Sequence, residues 1–314
     1  MKVGLIGVSG ARPLEFWEAF LRELGVEVAL PILPPHELYA LGKESMPSEA
    51  AHLQYLLGRV LELQRSDLVL LPGLLPVAQD AWGEALADLL PRRISGLPSL
   101  QLIPGDGPAA LSVAGELGQR LTRNPATVRL ALDRTRPLSQ PRKEAMPRLS
   151  VSSRHTVAVL GPPALLADPY LSGPLREQLN ALELHGVYGN DLPASQVQER
   201  AERFGDAPAG QRWLNGAQGL LEGKSAVRGI LYVYPERDVA WQRALSRMAK
   251  KARLPSAVQG IEPDQQGWQG LEDLHRQLTA PVSATAASLT AARLRAPAAP
   301  VASSGTAPST GDEE

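Results

Sequence analysis

Met1-Lys2-Val3-Gly4-Leu5-Ile6-Gly7 opens the chain, and His155-Thr156-Val157-Ala158-Val159-Leu160-Gly161 stands in its middle. Each is a short apolar run that ends on glycine, the pattern of a buried strand entering a tight turn. The sequences that follow are also alike. Phe16-Trp17-Glu18-Ala19-Phe20-Leu21-Arg22-Glu23-Leu24 sets apolar residues at helical spacing, Gly25 stops the helix, and Val26-Glu27-Val28 starts a second strand. Leu175-Arg176-Glu177-Gln178-Leu179 does the same ahead of Leu184-His185-Gly186-Val187-Tyr188. Strand, glycine turn, amphipathic helix and strand is how a parallel α/β domain begins. The repeat therefore predicts an α/β protein of two tandem Rossmann-like domains with parallel sheets. Residues 1–140 form the first, 141–154 a linker and 155–279 the second.

Working outward, strands are predicted at 2–8, 26–30, 67–72 and 100–103, and then at 156–160, 186–189, 228–233 and 256–260. Helices are predicted at 14–25, from Pro47 to about Gln64, and at 109–122. In the second half they fall near 172–183, 194–204, 210–222, 237–252 and 268–278. Pro31, Pro34 and Pro35 read as chain breaks, and the polar stretch 135–153 with Pro137, Pro141 and Pro147 as linker. Trp17, Trp213, Trp241 and Trp268 read as packing anchors on helices. Residues 280–314 are Ala, Pro, Ser and Thr without an aromatic, so a disordered tail is expected.

The length of 314 residues suits two domains. With 32 basic and 33 acidic residues the net charge is −1, so no single-sign field argues for nucleic acid or an anionic membrane. The absence of cysteine excludes disulfides, thiolate nucleophiles and thiolate-held metal centres. No apolar run approaches the ~20 residues of a membrane span, and no cleavage site follows the first strand, so a cytoplasmic location is expected. The heavy use of Ala, Leu, Pro and Arg suggests a bacterial, GC-rich source.

Gly7-x-x-Gly10 after the first strand has two readings. One is a cradle whose backbone N–H groups, with Ser9 and Arg12, take an anion; the other is a simple strand-to-helix turn. Gly105-Asp106-Gly107 reads as a turn and helix cap. The five histidines show no metal-ligand spacing, and His185 is expected at a helix end. Gly161, Asp168 and Tyr170 lie in the loop after a strand C-terminus, where open α/β sheets place their ligands. A loop-capping role for Asp168 stands beside a binding one. The candidate ligand-binding residues are thus Gly7, Ser9, Gly10, Arg12, Gly161, Asp168 and Tyr170, with no catalytic residue assigned, no metal and no cofactor.

Further stretches carry a family likeness. They are Phe16-Trp17 through Leu24-Gly25-Val26-Glu27-Val28, Gly58-Arg59-Val60, Gly96-Leu97-Pro98, Gly161-Pro162-Pro163 through Asp168-Pro169-Tyr170, Gly229-Ile230-Leu231-Tyr232-Val233, and Glu262 with Leu271-Glu272. Over about residues 1–278 the chain resembles the 2-hydroxyacyl-CoA dehydratase family, in the branch related to that enzyme's activator. The resemblance implies this fold and a cleft between domains. In that family cysteines hold a four-iron cluster that an ATP-dependent activator reduces. Here the matching places are Ala51, Leu90 and about Pro235; Pro162 replaces a histidine and Gly270 an arginine. Without thiolates a cluster has no suitable ligands, so radical dehydration is not expected.

Two functions follow. The first is a non-catalytic binding or scaffold protein with a small-molecule or protein partner. The second is an enzyme of another class, taking a CoA-like or nucleotide-like ligand between the domains.

Overall fold

The computed structural model describes residues 1–7, 13–105, 107–140, 145–151 and 154–280. Ser9, Gly10, Arg12 and Asp106 lie outside the described residues, as does the tail from 281 onward.

Two four-stranded parallel sheets carry the fold. The first contains β1 (Lys2–Leu5), β2 (Glu27–Ala29), β3 (Leu68–Pro72) and β4 (Ser99–Ile103), in the order β2-β1-β3-β4. The second contains β5 (His155–Leu160), β6 (Leu184–Tyr188), β7 (Val227–Pro235) and β8 (Ser256–Ile261), in the order β6-β5-β7-β8. The repeated opening is therefore a repeat of topology: both sheets place their first strand second and their last strand at an edge. Parallel sheets bury both faces, which is why these strands read as apolar runs without alternation.

Twelve α-helices lie among the described residues. The first half holds α1 (Pro13–Glu23), α2 (Pro35–Ser45), α3 (Ala51–Glu62), α4 (Ala81–Arg93), α5 (Gly107–Thr122) and α6 (Pro125–Ser139). The second holds α7 (Pro163–Ala167), α8 (Pro169–Ala181), α9 (Ala194–Ala201), α10 (Ala209–Glu222), α11 (Val239–Ala249) and α12 (Gln269–Thr279). None is long and apolar enough to cross a membrane.

Four helices depart from the sequence reading, the last being α7, which with the start of α8 occupies residues expected as a loop, so that Asp168 stands between two helices and Tyr170 lies in α8. Pro34 and Pro35 do not break the chain but start α2, since proline's fixed φ and missing N–H suit a first helical turn. Pro125 does the same for α6, whose end takes residues 135–139 out of the expected linker. The Asn124 side chain accepts from the backbone of Ala126 and Thr127 there. The third, α4, starts at Asp80, whose carboxylate accepts from the Gly83 N–H. His185 ends no helix; it lies in β6, its Nε2 2.8 Å from the Arg148 carbonyl. Trp268 sits one residue ahead of α12 and is buried, as are Trp17 and Trp241.

Residues Met1–Leu278 form one compact unit. The α2–α3 pair explains this. A Cβ on Gly42 would fall 1.7 Å from the Gln54 carbonyl oxygen, and one on Gly58 1.8 Å from that of Leu38. The two helices thus cross with backbones in contact, which glycine alone permits. The pair then serves two cores. Leu53, Leu56, Leu57 and Val60 pack beneath the first sheet with Val69 and Leu71. Leu38, Tyr39, Ala51 and Tyr55 join Val157, Val159, Leu231 and Val233 of the second. Polar ties span the same boundary: Arg237 donates to the Pro47 carbonyl (2.8 Å), Gly210 N–H to that of Pro76 (2.7 Å), and Lys43 lies 3.5 Å from Asp264.

Candidate functional site

In the order β2-β1-β3-β4 the chain leaves β1 toward one side and returns to the other. The switch point lies between the C-terminal ends of β1 and β3, where open α/β sheets leave a crevice. A pocket of about 40 Å³ opens there. Gly7 beyond β1 contributes to it, with Pro72 and Leu74 from the end of β3. One stripe of α3 supplies His52, Tyr55, Leu56 and Arg59, at spacings of three and four. The second half closes it with Ala164 of α7, Asp168 and Leu171. Both halves therefore build one site.

Of the sequence candidates, Gly7 and Asp168 are brought together here. Ser9, Gly10 and Arg12 lie outside the described residues. Gly161 does not line the pocket; a Cβ there would sit 2.1 Å from the Val233 carbonyl oxygen, so strand packing accounts for this glycine. Asp168 caps α8, its Oδ1 accepting from Tyr170 N–H (2.9 Å) and Leu171 N–H (3.3 Å). Tyr170 lies between two rings of the first half, 5.9 Å from Tyr39 and 5.5 Å from Tyr55 between centroids. These contacts are within the attractive range for aromatic pairs and fasten α8 to the α2–α3 pair.

Three pocket residues escaped the sequence reading: His52, Tyr55 and Arg59. Their spacing on one helix face was the available signal. The His52 Nδ1 is enclosed and has no hydrogen-bond partner among the described residues, although the residue keeps some exposed surface. Burial lowers its pKa to about 4, so the ring is neutral at pH 7. Burial likewise raises the Tyr55 phenol, with the Asp168 charge adding to the effect. Burial of Arg59 works against its charge, while Tyr55, Asp168 and Glu62 work for it. Its guanidinium lies 5.5 Å from the Tyr55 ring centroid and makes no hydrogen bond to a described residue. Burial pushes Tyr170 up to about 12.

The arrangement is a cation held at a strand-end crevice beside a neutral imidazole, a phenol and the Asp168 carboxylate, whose Oδ1 already accepts two backbone N–H groups. That suits binding of a small anionic group. Among the described residues no group of three or more His, Cys, Asp or Glu is placed to hold a metal. Ala51, Leu90 and Pro235 are buried, Ala51 in the shared core and Leu90 beneath the first sheet.

No protein-family model matches the chain, and no curated protein matches it. Among solved structures it is similar to the Ca. Korarchaeum cryptofilum dinucleotide forming acetyl-coenzyme A synthetase 1 in complex with phosphate and ADP. Identity is 13%, over 88% of this chain and 60% of that one, with a TM-score of 0.21. The apo form of that synthetase gives 14%, 89%, 60% and 0.21. The Salmonella D-lactate dehydrogenase gives 11% identity over 88% of this chain and 94% of that one, with a TM-score of 0.17. The chain spans about 60% of the length of the synthetase. TM-scores this low carry no argument about function.

Proposed function

We propose that this chain is a non-catalytic binding protein, a cluster-less relative of the 2-hydroxyacyl-CoA dehydratase type, that takes a small anionic group at the switch point of its first sheet. The observation that carries this reading is the pocket itself: residues of both halves meet there around Arg59. Asp168 is occupied as a helix cap and Tyr55 and Tyr170 as an aromatic contact, so Arg59 is the cation left to meet an anionic ligand. Buried apolar residues at Ala51, Leu90 and Pro235 support loss of the redox centre. At about 40 Å³ the pocket has room for one or two waters or the end of a ligand, well below the several hundred Å³ that enclose a whole cofactor. A nucleotide or CoA thioester would place one anionic group in it and leave the rest outside.

A second reading, an enzyme of another class, draws on the unpartnered His52 Nδ1 in the same pocket. With its pKa near 4 that ring is a weak base, which favours binding over proton transfer.

A thermal-shift panel of inorganic phosphate, nucleotides and CoA thioesters tests the proposal. A compound present at ~100 times its Kd should stabilise by about 2.7 kcal/mol, and Arg59→Gln should abolish that shift. No stabilisation by any member, or an unchanged shift in Arg59→Gln, would overturn it.

A further inference from the structure

The four edge strands of the two sheets are treated differently. At the β2 edge, Lys2 and Glu27 form an ion pair of 3.4 Å. Beside β6, His185 meets the Arg148 carbonyl, and Thr156 of the neighbouring strand donates to that of Leu149. Against β8, Gln259 Oε1 accepts from the N–H groups of Gly270 and Leu271, and a Cβ on Gly270 would fall 2.3 Å from the Val258 carbonyl oxygen. β4 has the same place in its sheet as β8, and among the described residues its one strand partner is β3, with no side-chain cap like that of Gln259 along its free side. Its sequence, Ser99-Leu100-Gln101-Leu102-Ile103, holds no charge and no proline. Edge strands normally carry one or the other, because a neutral open edge recruits another strand.

Beside this edge runs a shallow groove of about 940 Å³ between β4 and the C-terminal half of α5. Gln101 lines it from the strand; Glu116, Arg120 and Arg123 line it from the helix. Arg120 donates to the Gln101 side chain. On the opposite face, Leu100 and Leu102 are only partly buried, packed like Ile94 and Leu97 against the core that holds Val69 and Leu71.

We propose that β4 pairs antiparallel with β4 of a second copy of this chain, about a two-fold axis through Gln101. The two first sheets then form one continuous sheet. Antiparallel pairing centred on Gln101 sets Gln101 opposite its counterpart and each Leu100 opposite the partner's Leu102. The half-covered leucines gain apolar neighbours, and the amides can pair with each other. An axis normal to the sheet leaves the two α5 helices on one face and runs them antiparallel. A helix with an acid and a base one turn apart then meets its own reverse, so Glu116 of each copy faces the arginine side of the other. The edge is complementary to itself in backbone, in apolar pairing and in charge, which is what an isologous interface requires.

Sedimentation equilibrium on the full chain, with hydrogen exchange at low and high protein concentration, tests this. The expected result is a dimer whose β4 amides gain protection with concentration. Glu116→Arg and Arg120→Glu each leave two like charges facing across the axis and should weaken the dimer by about tenfold. The double reversal should restore it. Gln101→Lys should also dissociate it, with a circular-dichroism melt showing that the monomer remains folded. A monomer at every concentration, or β4 amides protected to the same extent throughout, would overturn the proposal. So would a dimer indifferent to Gln101→Lys and to both single reversals.

Discussion

The two halves share one strand order and differ at the end where such sheets bind ligands. In the first, Gly7 follows β1 and borders a pocket; its absent Cβ would first meet the Leu14 side chain, at 2.7 Å. In the second, Gly161 follows β5, and its absent Cβ would meet the Val233 backbone oxygen at 2.1 Å. One glycine meets a movable side chain beside a pocket and the other a strand backbone. The turn of the second half packs on its own sheet, and residues of α7 and α8, which follow it, line the switch point of the first. Equal topology therefore has not produced equal sites. What differs is whether the turn after the first strand faces a side chain that can move or a neighbouring backbone that cannot.

The sharpest way to break this comparison is to add the missing methyl to both glycines. Gly161→Ala must push β5 or β7 aside, because a carbonyl in a strand has nowhere to go. It should cost about 2–4 kcal/mol. Gly7→Ala displaces only the end of a leucine and should cost under about 1 kcal/mol. Chemical denaturation of the two variants measures the difference. Equal losses would mean that both turns are packed alike.

The halves should also titrate in opposite senses. His52 in the first has its pKa lowered from 6.5 to about 4 by burial. Its contribution is full above pH 6.5 and is lost as the pH falls toward 4, where the unfolded chain binds the proton and the fold resists it. Asp238, the cap of α11 in the second, has its pKa raised from 3.8 to about 6, first by burial and then by the charges of Asp80 and Glu49. Its contribution is full below pH 3.8 and is lost as the pH rises through 6. Each is worth on the order of 3 kcal/mol, so between pH 4 and 6 they nearly cancel. Asp238→Asn keeps a capping oxygen and should leave stability rising with pH in that window; His52→Gln should leave it falling. Stability measured by urea denaturation at several pH values checks both slopes. Parallel curves for the two variants would refute the opposed titration.

The strands were legible because a parallel strand buried on both faces is a short apolar run stopped by glycine or proline, as at Ile6-Gly7 and Leu71-Pro72. The prolines misled where they begin helices. Pro34 and Pro35 look like breaks until the residues after them are known to pack. At the site, Gly7 and Asp168 could be placed by topology alone, since each follows the first strand of its half. His52, Tyr55 and Arg59 could not. Their side of α3 faces the crevice because α2 and α3 cross in backbone contact at Gly42 and Gly58, and sequence does not reveal which glycines meet. Nor did it reveal that Gly161 supports a strand rather than a ligand.

The smallest effect separates a buried cap from an exposed one. Asp168 is 3% exposed and holds two N–H groups of α8 at the pocket wall. Asn124 performs the same task for α6 in the first half, at the surface. Replacing a cap by alanine typically costs about 1 kcal/mol, and more where the freed N–H groups cannot reach water. Asp168→Ala should therefore lower stability by about 1–2 kcal/mol and Asn124→Ala by about 0.5–1 kcal/mol. At roughly 2–4 °C per kcal/mol the two melting points should separate by a few degrees. Asp168→Asn retains an accepting oxygen and should melt near the wild type. It is the variant with which to ask whether the carboxylate touches a ligand, since Asp168→Ala alters the helix as well. If Asp168→Asn falls as far below the wild type as Asp168→Ala, the charge of Asp168 rather than its hydrogen bonds supports α8, and the pocket wall is held by electrostatics with Arg59 close by; if both melt as the wild type does, the cap contributes nothing.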